Sequence, residues 1–167
     1  MAGWYVVSTQ PHQEARAESN LVRQGFETWL PRFARERRHA RKVDTVLVAL
    51  FPGYLFVRLD PDVQRWRSIN GTFGVRQLIC HEDRPARLPD AFVEGLMART
   101  GPDGLVEAPA EDELQPGMKV RLTAGPFVDQ IATLVRLADR DRVALLLSAL
   151  GRQVSTTVPR SLVERSD

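Results

Sequence analysis

The pattern of apolar and polar positions divides the chain into short alternating elements. Gly3-Trp4-Tyr5-Val6-Val7-Ser8 predicts a strand, and Pro11 opens a segment to Gln24, stopped by Gly25, that predicts a helix. Phe26 to Phe33 and Val43 to Phe51 read as strands around a basic loop, and Gly53 to Leu59 is the strongest strand pattern in the chain. Asp60-Pro61-Asp62 opens a short helix through Ile69, with proline at an early position where its missing N–H costs little. Asn70-Gly71-Thr72-Phe73-Gly74 is a turn, Val75 to Cys80 a further strand, and Pro89-Asp90 begins a helix ending near Thr100. Strands interleaved with helices and hairpins predict an α+β sandwich, an antiparallel sheet with helices packed on it.

The stretch Phe51-Pro52-Gly53-Tyr54-Leu55-Phe56-Val57 poses a problem for that scheme. Strand alternation sends Tyr54 and Phe56 to one face and Leu55 and Val57 to the other. Both faces are apolar. One can line a core; the other needs a partner.

Beyond Thr100 the pattern changes. Residues 101–114 are rich in Pro, Gly and acid, which reads as an acidic flexible linker between a first domain at 1–100 and a second at 115–167. Charge follows the same division. Residues 1–100 carry 15 bases against 11 acids, residues 101–114 no base and five acids, and residues 115–167 eight bases against five acids. In the second domain, turns at Gln115-Pro116-Gly117, Ala124-Gly125-Pro126-Phe127, Asp139-Arg140-Asp141 and Gly151-Arg152 separate short apolar runs. Four or five short strands there point to a small barrel.

One of those runs is ambiguous. As a barrel strand, Val143 to Leu150 turns Val143, Leu145, Leu147 and Ala149 inward and leaves Ala144, Leu146 and Leu150 facing water. Only Val143 is β-branched, whereas Ala and Leu lead the helix scale. As a helix, Val143, Leu146, Leu147 and Leu150 form one apolar stripe that could cover the aromatics around Tyr54 and Phe56. Barrel and docked helix both stay open.

Composition narrows the function. Hydrophobic residues make up 43% and charged residues 26% of 167, an ordinary globular balance. No apolar run nears the roughly 20 residues that span a bilayer, and the lone Cys80 fits a reducing cytoplasm. His12, His39 and His81 lie far apart, and no metal-ligand spacing, nucleophile motif or phosphate loop appears. The expectation is a binding protein without cofactor or metal, monomeric and not an enzyme. The nucleic-acid signal is stronger. Arg32 to Lys42 holds six bases, including Arg35, Arg37, Arg38, Arg41 and Lys42, and one acid, a density that attracts phosphates without reading sequence. On the first helix Gln13, Arg16, Asn20 and Arg23 recur at spacings of three and four, one polar stripe of side chains suited to base edges.

These residues carry a resemblance. Trp4-Tyr5, the Phe51 to Val57 block and Gly74-Val75, followed by Pro116-Gly117, Gly125-Pro126-Phe127 and Gly151-Arg152, resemble the NusG family of transcription elongation factors, with RfaH-type paralogues nearest. The second set outlines a KOW domain. The resemblance implies a protein that binds RNA polymerase and suppresses pausing and termination. Phe51, Tyr54 and Phe56 would meet the clamp helices, and Arg65, Trp66 and Arg67 the gate loop opposite. It also implies contact with the non-template DNA strand through Arg16, Asn20, Arg23, Gln24 and Thr72. A KOW domain of this family would reach a small-subunit ribosomal protein or the termination factor Rho, and RfaH-type relatives switch that domain between helical hairpin and barrel. A general, genome-wide NusG and a ribosome-associated RNA-binding KOW protein are the alternatives.

Overall fold

Strands β1 (Gly3–Thr9) and β5 (Tyr54–Leu59) form the centre of a four-stranded antiparallel sheet of order β2-β5-β1-β6, flanked by β2 (Glu27–Trp29) and β6 (Val75–Leu78). The computed structural model describes residues 1–107 and 137–151. Register places Val6 opposite Phe56 and, on the other face, Tyr5 opposite Val57 and Val7 opposite Leu55. The period-two alternation therefore divides the apolar residues between two cores. Tyr5, Val7, Leu55 and Val57 pack with Ala17 and Leu21 of helix α1 (Glu14–Arg23) and with Ile69. Val6 and Phe56 pack with Phe51 and with Phe92, Val93 and Leu96 of helix α2 (Asp90–Ala98).

The turn at Phe51-Pro52-Gly53-Tyr54 delivers β5 into that centre. Phe51 O accepts from Tyr54 N at 3.0 Å, with proline second and Gly53 third at φ +86°, the sequence chemistry of a type II turn. Glu14 of α1 accepts from Gly53 N at 2.8 Å and ties the turn to the opposite layer.

Three local expectations change. The basic segment is not a loop: β3 (Arg32–His39) and β4 (Lys42–Ala49) pair residue for residue into a two-stranded ribbon outside the main sheet. Ala40, at φ 57°, supplies the left-handed position its two-residue turn needs. The helix expected from Pro61 begins later, as a 3-10 helix at Trp66–Gly71. Asp60 competes with it, its carboxylate accepting from Asp62 N while Gln64 caps Asp60 N. The strand expected at Val75–Cys80 divides after Leu78, and β7 (Cys80–His81) pairs instead with β8 (Arg84–Pro85).

Residues 101–107, at the start of the acidic strip, fold back onto the first module. Val106 is buried and donates its N–H to Arg32 O at 2.8 Å, and Arg99 pairs with Glu107 at 2.6 Å. The remainder of the linker and most of the expected barrel lie outside the described residues. Within them, of the two forms left open for Val143–Leu150 the helix is the one found: Asp139–Ala149 is helix α3. Local preference suits it, with Ala, Leu and Arg filling the interior, Asp139 and Asp141 in the first turn, and Gly151 at φ +80° just past the end.

Candidate functional site

Helix α3 answers the question posed by the two-sided strand. Leu145, Leu146 and Leu150 are buried in the cluster that contains Phe51 and Phe56, and Val143, Leu147 and Ala149 pack at its edge with Trp29 and Tyr54. Phe56 is 0% exposed and stacks on Trp29 at 5.6 Å, with Phe51 edge-on at 5.8 Å. Full burial of a leucine is worth about 2 kcal/mol over leaving it exposed, so three of them make a substantial cover. The aromatic patch packs against α2 on one side, and a remote segment completes its cover.

The helix is oriented by a charge. Arg142 is 1% exposed; its Nε donates to Leu50 O at 2.8 Å, and its other nitrogens donate to Leu137 O and the Asp139 carboxylate. Its guanidinium lies 5.2 Å from the Phe33 ring, which Arg35 approaches at 5.0 Å. Asp139 also accepts from Arg35 of the ribbon at 3.0 Å, so one carboxylate serves a buried and an exposed arginine. Burial holds the Arg142 guanidinium below its usual range, and Asp139 opposes that shift. The buried stripe therefore runs through Arg142, Leu145, Leu146 and Leu150, rotated from the Val143-Leu146-Leu147-Leu150 stripe that apolarity alone selects. A hydrophobic pattern skips an arginine, so periodicity points to neither Arg142 nor its partners Asp139 and Phe33.

Arg65, Trp66 and Arg67 stand on the other side of the sheet. Trp66 packs partly against the α1-face core, and Arg67 covers its ring at 4.6 Å. Arg65 and Arg67 are exposed.

The α1 stripe is assembled as spaced, but several of its groups brace a neighbouring turn. Asn20 donates to Phe73 O at 3.3 Å and Gln24 to Thr72 Oγ at 2.7 Å, while that hydroxyl donates to Ser68 O. Thr72 is 6% exposed and so positions the turn; the residue that projects from it is Phe73, under the Arg16 guanidinium at 5.6 Å. Arg23 is exposed. On the ribbon Arg37 makes a loose pair with Asp44 at 3.9 Å, and Arg38, Arg41 and Lys42 are exposed around the turn.

The family model described as "Transcription termination factor nusG" matches residues 2–97, more than half of the chain. The chain belongs to the NusG family. Similar relatives include the transcription termination/antitermination protein NusG of Thermus thermophilus, 29% identical over 98% of each chain. The NusG of Deinococcus radiodurans is 28% identical over 97% of this chain and 98% of its own, and that of Staphylococcus aureus 25% over 97% and 94%. The chain is accordingly a transcription elongation and antitermination factor, whose family implies binding to RNA polymerase. No helix among the described residues is long and apolar enough to cross a membrane.

Proposed function

We propose that this NusG-family chain is an RfaH-type factor whose polymerase-binding face is closed by its own helix α3. The observation that carries this reading is the burial of Phe51 and Phe56 beneath Leu145, Leu146 and Leu150, pinned by Arg142 on Leu50 O. Aromatic residues at the centre of a patch are the usual anchors of a protein interface. Tyr54 at the edge of the covered face and Trp66-Arg67 behind the sheet give contacts on opposite sides, suited to the clamp helices and the gate loop. A domain held between both sides of the cleft would keep the clamp shut and disfavour pausing, by binding alone. The ribbon bases and the α1 stripe then meet the exposed DNA strand. Released α3 has a second use, because the same residues carry the inward alternation Val143, Leu145, Leu147, Ala149 of a barrel strand.

A general factor needs no such cover, and the docked helix favours the specialised reading. Leu145→Asp with Leu146→Asp in the full chain puts two carboxylates into the apolar contact and opens it. The opened chain should bind RNA polymerase at least tenfold more tightly than the unaltered chain, and adding Tyr54→Ala should remove most of that gain. Equal binding by the closed and opened chains would show a face that is not regulated by α3.

A further inference from the structure

The ribbon on which α3 leans has little support of its own. Strands β3 and β4 form a separate two-stranded sheet, and such a hairpin is marginal in water without something packed on it. What holds its root is a run of backbone groups. Leu50 N donates to Pro31 O at 2.8 Å, Arg142 Nε donates to Leu50 O at 2.8 Å, and Val106 N donates to Arg32 O at 2.8 Å. Helix α3 and residues 99–107 therefore hang from neighbouring groups of one hairpin. Along β3 itself, Arg32 holds Val106, Phe33 lies under the Arg142 guanidinium, and Arg35 donates to Asp139.

Residues 99–107 are built to stay where they are. Thr100 and Val106 form a bridge, Gly101 N donates to Leu105 O at 2.9 Å, and the Asp103 carboxylate accepts from Leu105 N at 3.0 Å. Gly104, at φ +80°, supplies the left-handed position this turn requires. Glu107 N donates to Arg99 O at 3.1 Å, and the Glu107 carboxylate closes on the Arg99 guanidinium at 2.6 Å. The Gly, Pro and Asp that read as linker composition are also the residues of a tight turn. Val106 is 2% exposed and belongs to the same apolar cluster as Phe33, Leu50, Leu137 and Leu145. Losing Val106 from this seat would free the ribbon root to swing. Phe33, Leu50 and Arg35 would move with it, and these are the groups that hold Arg142 and Asp139.

We propose that residues 99–107 are a strap that closes cooperatively with α3, each positioning the ribbon root for the other. The inference rests on the proposed closure by α3 and adds a second element that keeps the polymerase face shut. Coupling of this kind is reciprocal, so it is tested from both ends by native-state hydrogen exchange of the full chain. Val106→Asp puts a carboxylate into the strap's apolar seat and should speed exchange of the α3 amides about tenfold, while β1 and β5 keep their protection. Glu107→Gln, which weakens only the Arg99 pair and leaves the core untouched, should shift α3 in the same direction by a smaller factor. From the other end, Leu145→Asp with Leu146→Asp should speed exchange of the Val106 and Glu107 amides by a factor similar to that of Val106→Asp on α3. Exchange of α3 within twofold of the parent in Val106→Asp, or strap amides unmoved in the opened chain, would overturn the coupling. If the opened chain then still bound RNA polymerase more tightly, closure by α3 would stand without the strap. Strap amides that loosen in a chain whose polymerase binding is unchanged would support the coupling and count against closure as the control of that face.

Discussion

The two faces of the central sheet are built from the same strands and differ in what closes them. The α1 face is covered by a helix that follows β1 directly, its buried side chains are apolar, and Gly74 brings backbone against backbone. The opposite face is covered in part by α3, which arrives from the far end of the chain and carries a buried guanidinium. Packing apolar groups alone makes a core with no reason to open. A buried charge carries a desolvation cost in the docked state that rehydration on release removes, so it narrows the gap between covered and uncovered. The first face is a core; the part of the second beneath α3 is a core on condition.

The comparison breaks most sharply on matched leucines. Leu21 and Leu145 are both fully buried, one on each face. Leu21→Ala should cost about 3 kcal/mol of global stability and lower the melting midpoint by about 10 °C. Leu145→Ala should leave the midpoint of the first module nearly unchanged and raise polymerase binding. Equal losses in calorimetry would mean that both faces belong to one obligate core.

A smaller effect is expected where the charge is held. Asp139→Asn leaves Arg142 docked without its carboxylate, a cost of about 2 kcal/mol after discounting for the half-exposed position of Asp139. Undocking relieves that cost, so the amides of α3 should exchange roughly thirtyfold faster in native-state hydrogen exchange. No change would mean that the Leu50 and Leu137 carbonyls alone stabilise Arg142.

The smallest effect lies outside both faces, on the ribbon. Replacing Arg37, Arg38 and Arg41 by Gln removes exposed cations with little structural role. Binding to DNA should weaken to a similar degree for every sequence, and the slope of log affinity against log salt should flatten by up to about 0.9 for each phosphate no longer neutralised. An unaltered slope would reduce the ribbon to a solubilising element.

Sequence periodicity is a good guide wherever one element supplies its own reason to fold. The alternation at Tyr54 to Val57 and the helix stopped at Gly25 both follow from residues within a few positions. It misreads elements governed by pairing or competition. The arginines of 32–42 look like a loop until β4 pairs with them, and Asp60 delays the next helix by occupying nearby N–H groups. Val143 to Leu150 is undecidable from pattern because its residues satisfy both periods; docking against Phe51 and Phe56 selects the helix, and that contact is remote in sequence. Arg142 is invisible for the same reason, since its partners are the carbonyl of Leu50, the ring of Phe33 and a carboxylate shared with Arg35. Among the nucleic-acid candidates, spacing correctly groups Arg16, Asn20 and Arg23 on one side of α1, yet only the fold shows Thr72 turned inward and Phe73 outward.

The central claim is that α3 and RNA polymerase compete for one apolar face. Hydrogen exchange of residues 139–149 in the full-length chain, free and bound to polymerase, tests it directly. The free chain should protect these amides, and the polymerase-bound chain should lose the helical pattern of protection there while β1 and β5 keep theirs. Undiminished protection of 139–149 in the complex would mean that α3 stays docked, and that polymerase binds elsewhere on the molecule.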